Sequence, residues 1–389
     1  MIKYKGKSMN GFFDTELNIS LSCASGIEKA LKSELLRLGY GEVPIVNGEA
    51  EIKGNGGDIA RLNLFLRTCD RVFITLAKFK AETFEELFDG VYSIEWQNIL
   101  PKDALFVVDG KCVKSKLFAI SACQSLIKKA IAKKLGEVYG LKTLPENGAE
   151  YGIVFKIFKD EAEILLNTSG AGLHKRGYRD LVGIAPIKET LAAALVLYSN
   201  YYYERPFIDP FCGSGTIAIE AAKIALNIAG SDKRFFSFEN WTDFDKNYLI
   251  RAKEEAKDNE KRDRKIEIFG SDIDKKAIKL ATHHAERAGL KDRIRFSVCP
   301  VAELKSELVG GTIVTNPPYG ERVYDKKEAE NCYKEFGSAF KKLDSWSAFT
   351  ITSDKSFERY FGKRADKIRK LYNSNKECNF YYFYGKKEK

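Results

Sequence analysis

Three short segments in the C-terminal half of the sequence carry side chains able to do chemistry, each at the end of an apolar run. The first is Asp209-Pro-Phe-Cys-Gly-Ser-Gly-Thr216, lying between a strand-like run at Pro206 to Ile208 and a helical one from Ile217 to Ala229. It lacks the Gly-Lys-Ser/Thr of a P-loop and the third glycine of a dinucleotide fingerprint, so a phosphate is not its natural ligand. Two glycines let the backbone approach an adenosyl group closely, and Asp209 at a strand tip suits the cationic end of S-adenosylmethionine. The second segment, Phe269-Gly-Ser-Asp272-Ile-Asp274, ends the following strand, where a carboxylate can accept both hydroxyls of a ribose. Asp272 stands 57 residues beyond Gly215. A nicotinamide-type unit spans only about 20, so a helical insertion around Trp241 to Lys261 is expected between the two. The competing role for Asp272 is that of N-cap to a helix from Lys275.

The third segment, Thr315-Asn316-Pro317-Pro318-Tyr319-Gly320, decides the chemistry. An amino group conjugated to a base ring is a poor nucleophile. The amide oxygen of Asn316 and the carbonyl of Pro317 can accept its two N–H bonds, which favours a pyramidal nitrogen whose lone pair attacks a methyl group held in line. Tyr319 offers a ring on which a base taken out of its stack can lie.

These segments need a scaffold that gathers strand ends. From residue 186 onward, strands at 206–208, 266–270, 294–298, 312–315 and 347–352 alternate with helices, which is the pattern of a mostly parallel α/β sheet. A basic helix-like stretch and a terminal strand over Cys378 to Tyr384 are expected to close the chain. The N-terminal part reads differently, as α+β. A strand at Ile19 to Cys23, a helix to Gly39, strands at Val72 to Phe79 and Leu105 to Val108, and a long helix from Lys116 to Leu135 lead into two strands. These carry Ile153, Phe155 and Ile157, then Ala162, Ile164 and Leu166, joined at Lys159-Asp160. The expected division is 1–166, a glycine-rich basic linker over 167–183, and 184–389.

Composition bounds the rest. Lys and Arg outnumber Asp and Glu by 64 to 54, a net charge of +10 that suits a polyanionic partner without requiring one. No apolar run is long enough for a membrane span, and Met1 to Phe13 has no apolar signal region, so a cytoplasmic protein is expected. None of the eight cysteines forms a Cys-x-x-Cys pair and only three histidines exist, which argues against a metal site. Cys212 and the histidines at 174, 283 and 284 read as structural. Of the basic clusters, Lys111, Lys114, Lys116 and the lysines at 128, 129, 133 and 134 suit a solvated face as well as a phosphate backbone. Lys175, Arg176 and Arg179, at the junction, are the better candidates for contacts to a polyanion.

Taken together, Asp209 to Thr216, Asp272 and Asn316 to Tyr319 resemble the motifs of class I S-adenosylmethionine-dependent amino-methyltransferases. Leu173 to Arg179, Ala185 to Ala192, Asn316 to Arg322 and Leu21 to Glu28 narrow the resemblance to THUMP-domain RNA methyltransferases. The branch is the one that includes the bacterial large-subunit ribosomal RNA guanine-N2 methyltransferase. The resemblance covers nearly the whole chain, with specific motifs only in its C-terminal half. It implies a Rossmann-like methyltransferase domain after a ferredoxin-like/THUMP α+β RNA-binding region, and ribosomal RNA or tRNA as substrate. It further implies that Asp209, Phe211, Gly213, Gly215, Thr216, Asp272 and Asn316 line the cofactor, with Asn316, Pro317 and Tyr319 holding the target base. One position departs from the pattern: where an acidic residue often touches the adenine, this chain has Pro300, with Glu303 or a backbone carbonyl as replacement. The alternatives are a DNA adenine-N6 methyltransferase, which shares the Asn-Pro-Pro-Tyr motif, and an idle RNA-binding protein, against which the intact motif argues.

Overall fold

Two seven-stranded sheets, one in each half, divide the work between them in the computed structural model. The structure describes residues 11–181, 187–320, 325–343 and 345–386. Ala185, Pro186 and Arg322, which carry part of the resemblance, lie outside the described residues, as do the first ten positions.

The N-terminal elements are β1 (Leu17–Ser22), α1 (Glu28–Arg37), β2 (Ile45–Val46), β3 (Glu49–Gly54), α2 (Gly56–Phe65), β4 (Arg71–Lys80), α3 (Phe84–Tyr92), β5 (Leu105–Val113), α4 (Ile120–Tyr139), β6 (Glu150–Phe158) and β7 (Glu161–Asn167). Their strands run β2-β3-β1-β4-β7-β6-β5, so one sheet is continuous through the antiparallel β4–β7 pair. The β6–β7 hairpin turns at Lys159 and Asp160, both at positive φ as a tight two-residue turn requires. Along β6 the alternation of Tyr151, Ile153, Phe155 and Ile157 buries one face in the same apolar core as Cys123, Ile127, Ala130 and Ile131 of α4. Strand β3 escapes the sequence pattern because its Glu49-Ala-Glu-Ile-Lys contains only two apolar residues.

The C-terminal elements are α5 (Glu189–Tyr198), β8 (Phe207–Asp209), α6 (Thr216–Ala225), α7 (Lys246–Asn259), β9 (Ile268–Asp272), α8 (Lys275–Arg287), β10 (Arg295–Val298), β11 (Thr312–Thr315), α9 (Lys326–Phe340), β12 (Ser347–Thr352), α10 (Phe357–Phe361), β13 (Lys367–Asn373) and β14 (Lys376–Phe383). Strand order is β10-β9-β8-β11-β12-β14-β13, parallel from β10 to β12 and antiparallel at β14 and β13. This is the Rossmann-like arrangement expected. The basic stretch expected as a helix is instead β13: it is the edge strand, paired only to β14, and lysines at an edge are how a sheet keeps further strands away.

The boundary at 167–183 separates the sheets but not the cores. The insertion before β9 crosses back: Phe236, Phe238, Trp241 and Phe244 pack in the N-terminal core. Trp241 stacks on Tyr151 at 4.9 Å and donates from its indole to Glu150 O at 3.0 Å, while Arg61 on α2 grips Glu255 on α7 through two nitrogens, at 2.7 and 2.8 Å.

The connector is equally tied down. Asn63, Thr168 and Ser169 are buried and hydrogen-bond one another, and the Arg234 guanidinium donates to the carbonyls of Ser169, Ala171 and Gly172. The described part of the expected glycine-rich basic linker, residues 167–181, is therefore a packed joint. At its centre Arg176 is fully buried. Its guanidinium donates to the carbonyls of Leu66, Arg67 and Leu173 and lies 3.7 Å from Glu220 on α6.

Candidate functional site

In an open parallel sheet the ligand crevice lies beyond the strand C-termini where the connections diverge. Here that point falls between β8, which leads on to β9, and β11 on its other side. A cleft of about 1000 Å³ opens there. All three chemical segments converge on it: Asp209, Phe211, Gly213 and Thr216 from the first, Asp272 from the second, Asn316, Pro317 and Tyr319 from the third. Separations of 57 and 44 residues collapse because each segment follows a strand of one sheet.

The two glycines differ in purpose. Gly213, at φ +49°, has no protein atom within 4 Å of where a Cβ would stand, so its surface is left to a ligand. A Cβ at Gly215, at φ +81°, would press on Ala281 and Phe296 at 3.0 and 3.1 Å, so that glycine serves helix packing and does not line the cleft. Behind the loop, the buried His284 of α8 sits with Nδ1 3.1 Å from Ser214 O. Facing a carbonyl, that nitrogen carries the proton. His284 thus braces the loop, a structural role in line with the sequence.

Asp272 is not the cap of α8; that is Asp274, which accepts from the Lys276 amide at 2.7 Å. Instead the two Asp272 oxygens accept from the amides of Gly213 at 3.0 Å and Asp274 at 2.9 Å, which aims the carboxylate into the cleft. Burial raises its pKa. Asp209 is more extreme: burial, opposed by hydrogen bonds from Thr315 and the Phe211 amide, lifts it to about 7, with the Asp272 charge adding to the rise. The Thr315 hydroxyl donates to Asp209 at 2.6 Å, joining the β8 and β11 ends across the mouth of the sheet. Cys212 is no nucleophile, since burial and the two nearby aspartates push its thiol well above the usual range.

At the other end, Tyr319 donates to Asn316 Oδ1 at 2.6 Å and Tyr333 donates to Pro318 O at 2.7 Å, so the Asn-Pro-Pro-Tyr loop is held at two points. One wall of this end was not foreseen: the β13–β14 hairpin tip, Asn373 to Lys376, lines the same cleft. The Asn-Ser-Asn sequence between apolar runs was its available signal. At the position where the resemblance led us to expect an adenine contact, Cys299, Pro300 and Val301 line the cleft. Glu303 is exposed and does not reach it.

The expected RNA contacts at the junction fare unevenly. Arg176 is buried, as described, and cannot meet a phosphate. Arg179 is 15% exposed and pairs with Glu189 at 3.1 Å, donating also to Ile187 O. Both are corrected to joint residues, drawn inward by buried carboxylates on α5 and α6. Lys175 alone of the three is exposed. Among the lysines weighed earlier, 116, 128, 133 and 134 are paired with Glu82, Glu146, Glu137 and Glu95. Among the described residues no helix is long and apolar enough to cross a membrane.

Comparison with known proteins bears on the same regions. Residues 176–381 match the family described as RMKL-like, methyltransferase domain; residues 18–73 match the RlmL ferredoxin-like domain and 81–167 the THUMP domain. YpsC of Bacillus subtilis (strain 168), named a putative RNA methyltransferase, is 46% identical over 363 residues, covering 93% of this chain and 94% of its own. The ribosomal RNA large subunit methyltransferase K/L of Psychromonas ingrahamii (strain DSM 17664 / CCUG 51855 / 37) is 32% identical over 93% of this chain, which spans 49% of that relative's length. The crystal structure of SMU.472 complexed with SAH superposes with a TM-score of 0.91 at 42% identity, covering 96% of this chain and 99% of that one. SAH is what S-adenosylmethionine becomes on losing its methyl group. The open surface at Gly213 and the aimed Asp272 carboxylate fit the same group here. With S-adenosylmethionine as cofactor and a THUMP domain as its RNA-binding module, this chain belongs to the RMKL-like methyltransferase family.

Proposed function

We propose that the protein methylates the exocyclic N2 of a guanine in large-subunit ribosomal RNA. The observation that carries this reading is the placement of Asn316, with its amide oxygen oriented by Tyr319, in one cleft with Asp209 and Asp272. The names of the relatives, YpsC as an RNA methyltransferase and the K/L enzyme as a large-subunit rRNA methyltransferase, favour RNA over DNA.

Bound S-adenosylmethionine supplies a methyl group already activated on a sulfonium. Asp209 holds its cationic amino-acid end and Asp272 its ribose, with Phe211, Gly213 and Thr216 walling the site and Gly215 setting the turn. An amide oxygen has two lone pairs, so Asn316 keeps one for the guanine amine while Tyr319 occupies the other. The Pro317 carbonyl takes the second N–H, leaving the nitrogen lone pair directed at the methyl group. As the N–C bond forms, the sulfur leaves with its bonding pair and the amine sheds a proton to water. Asn316, Pro317 and Tyr319 thus make the reacting geometry. We place RNA capture in residues 1–166, chemistry in 184–389, and the joint between them in 167–183, with Lys175 facing RNA.

The test is nucleoside mass spectrometry of ribosomal RNA, tRNA and DNA from a strain lacking the gene. Loss of one N2-methylguanosine from large-subunit rRNA is expected. Loss from tRNA would move the substrate, and loss of N6-methyladenine from DNA would overturn the reading.

A further inference from the structure

We propose that Glu335 on α9 binds the adenine amino group of S-adenosylmethionine. The inference rests on the cofactor placement given above, with the amino-acid end at Asp209 and the ribose at Asp272, and adds where the base goes. In an adenosyl group the amino-acid arm leaves the ribose at C5′ and the base leaves it at C1′, across the ring. The strands run β10-β9-β8, so a molecule held at the β8 end and then at the β9 end continues over β10. Val298 of β10 pairs with Asp272, and the Cys299 amide donates to the Asp272 carbonyl at 3.0 Å, which brings Cys299, Pro300 and Val301 beside the ribose acceptor. All three line the cleft.

An amino group arriving there needs an acceptor. The carbonyls of Pro300 and Val301 already accept from the amides of Glu303 and Leu304, at 3.0 and 3.1 Å, and the Glu303 side chain does not reach the cleft. A carboxylate comes to this end from α9 instead. Phe336 shares an apolar cluster with Val301, and its ring lies 5.6 Å from that of Phe211 in the first cofactor loop. Cys332 and Glu335, three residues apart and so on one helix face, both line the cleft. Burial and then the Glu335 charge raise the Cys332 thiol, as expected of neighbours on that face. The other carboxylates of the cleft wall are engaged: Asp209 by Thr315, Asp272 by the Gly213 amide and Asp274 as the cap of α8. Glu335 has no hydrogen-bond or ion-pair partner among the described residues. An ionised carboxylate accepts from the N6–H of adenine and repels the carbonyl that hypoxanthine carries at the same position, so this contact selects an adenosyl over an inosyl ligand.

The experiment is calorimetric titration of the full chain with two probes, SAH and S-inosylhomocysteine, which differ only in the base. The wild type should bind SAH at least about tenfold more tightly. Glu335→Ala should lose about tenfold in SAH affinity and nothing for the inosyl probe, bringing the two within about threefold. Glu335→Gln, whose amide donates as well as accepts, should bind the inosyl probe more tightly than the wild type does. Glu335 is exposed, so neither variant disturbs the buried side of α9. Asp272→Ala is the reference for the ribose and should weaken both probes alike. A ratio between the probes that neither Glu335 variant changes would overturn the inference while Asp272→Ala still weakens both. If Asp272→Ala weakens neither, the ribose placement falls and this inference falls with it.

Discussion

The Tyr319 hydroxyl sits 2.6 Å from the amide oxygen of Asn316, three residues away in the chain and on the same loop. In the proposed function this is the oxygen that receives the substrate amine, and the hydrogen bond orients it before any substrate arrives. Tyr319→Phe keeps the ring for stacking and removes only this orientation. It should lower kcat about tenfold, the worth of one hydrogen bond near 1.4 kcal/mol, with RNA KM nearly unchanged. Asn316→Ala should cost more, at least about a hundredfold in kcat, while cofactor affinity stays within a few fold. Steady-state kinetics with both substrates varied would check this, and near-normal turnover of Asn316→Ala would make the loop structural.

Asp272→Ala should weaken cofactor binding by about 1.5 to 3 kcal/mol, the value of hydrogen bonds to a charged acceptor. Because the same carboxylate accepts from the Gly213 and Asp274 amides, that variant also leaves two loop donors unpaired. Asp272→Asn retains one acceptor and separates the effects. Calorimetry should place Asn between wild type and Ala, and equal affinity in all three would take Asp272 out of the site.

Asp209 gives a dependence on pH with a definite sign. Its pKa is raised from 3.8 to about 7, so the folded protein binds more protons than the unfolded chain between those values. Stability of the unliganded protein should fall as pH rises through that window. Cofactor affinity should move the other way, rising toward pH 7 and levelling above it, since the ligand ammonium needs the ionised carboxylate. Asp209→Asn should flatten both profiles, in denaturant unfolding and in calorimetric titration.

Replacing Arg176 should injure the fold before it touches RNA. Arg176→Met leaves the buried Glu220 with the Tyr178 hydroxyl but without its cation, and three carbonyls without a donor, a loss of about 3–5 kcal/mol. Lys175→Ala, at an exposed position, should stay within about 0.5 kcal/mol of wild type in urea unfolding. A stable Arg176→Met protein with weakened RNA binding would return that arginine to the RNA surface.

Residues 184–389 expressed alone should be insoluble or expanded, not a working methyltransferase. Cutting there uncovers Phe236, Phe238, Trp241 and Phe244, which the N-terminal core now covers. In the full chain, Trp241→Ala should cost about 3–5 kcal/mol. Size-exclusion chromatography of the fragment and thermal unfolding of the variant measure the two effects, and a monomeric, cofactor-binding fragment would show that the insertion refolds onto its own half.

What could be read from the sequence follows from where the information lies. Asp209, Asp272 and Asn316 were legible because each ends an apolar run, and parallel strands deliver their C-termini to one place whatever the spacing between them. The β6–β7 hairpin was legible because its alternation and its turn agree. Edge strands were not: β13 has one neighbour and one solvent-facing side, so Lys367-Ile-Arg-Lys carries too few apolar residues to show a period of two. Arg176 was misread for a different reason. A cationic side chain reads as a surface group unless its partner is known, and Glu220 lies 44 residues on, in another element.

The continuous β4–β7 pairing and the Trp241 insertion have a consequence for how the substrate is chosen. With the N-terminal sheet and the cleft locked together, the function proposed above would fix by protein the span between the nucleotides gripped by one and the base taken by the other, as between the jaws of a caliper. An RNA would then have to present its target base at that set reach from its anchoring helix or loop. Selection would act on the folded dimensions of the RNA, and a matching nucleotide sequence at the wrong distance would be passed over.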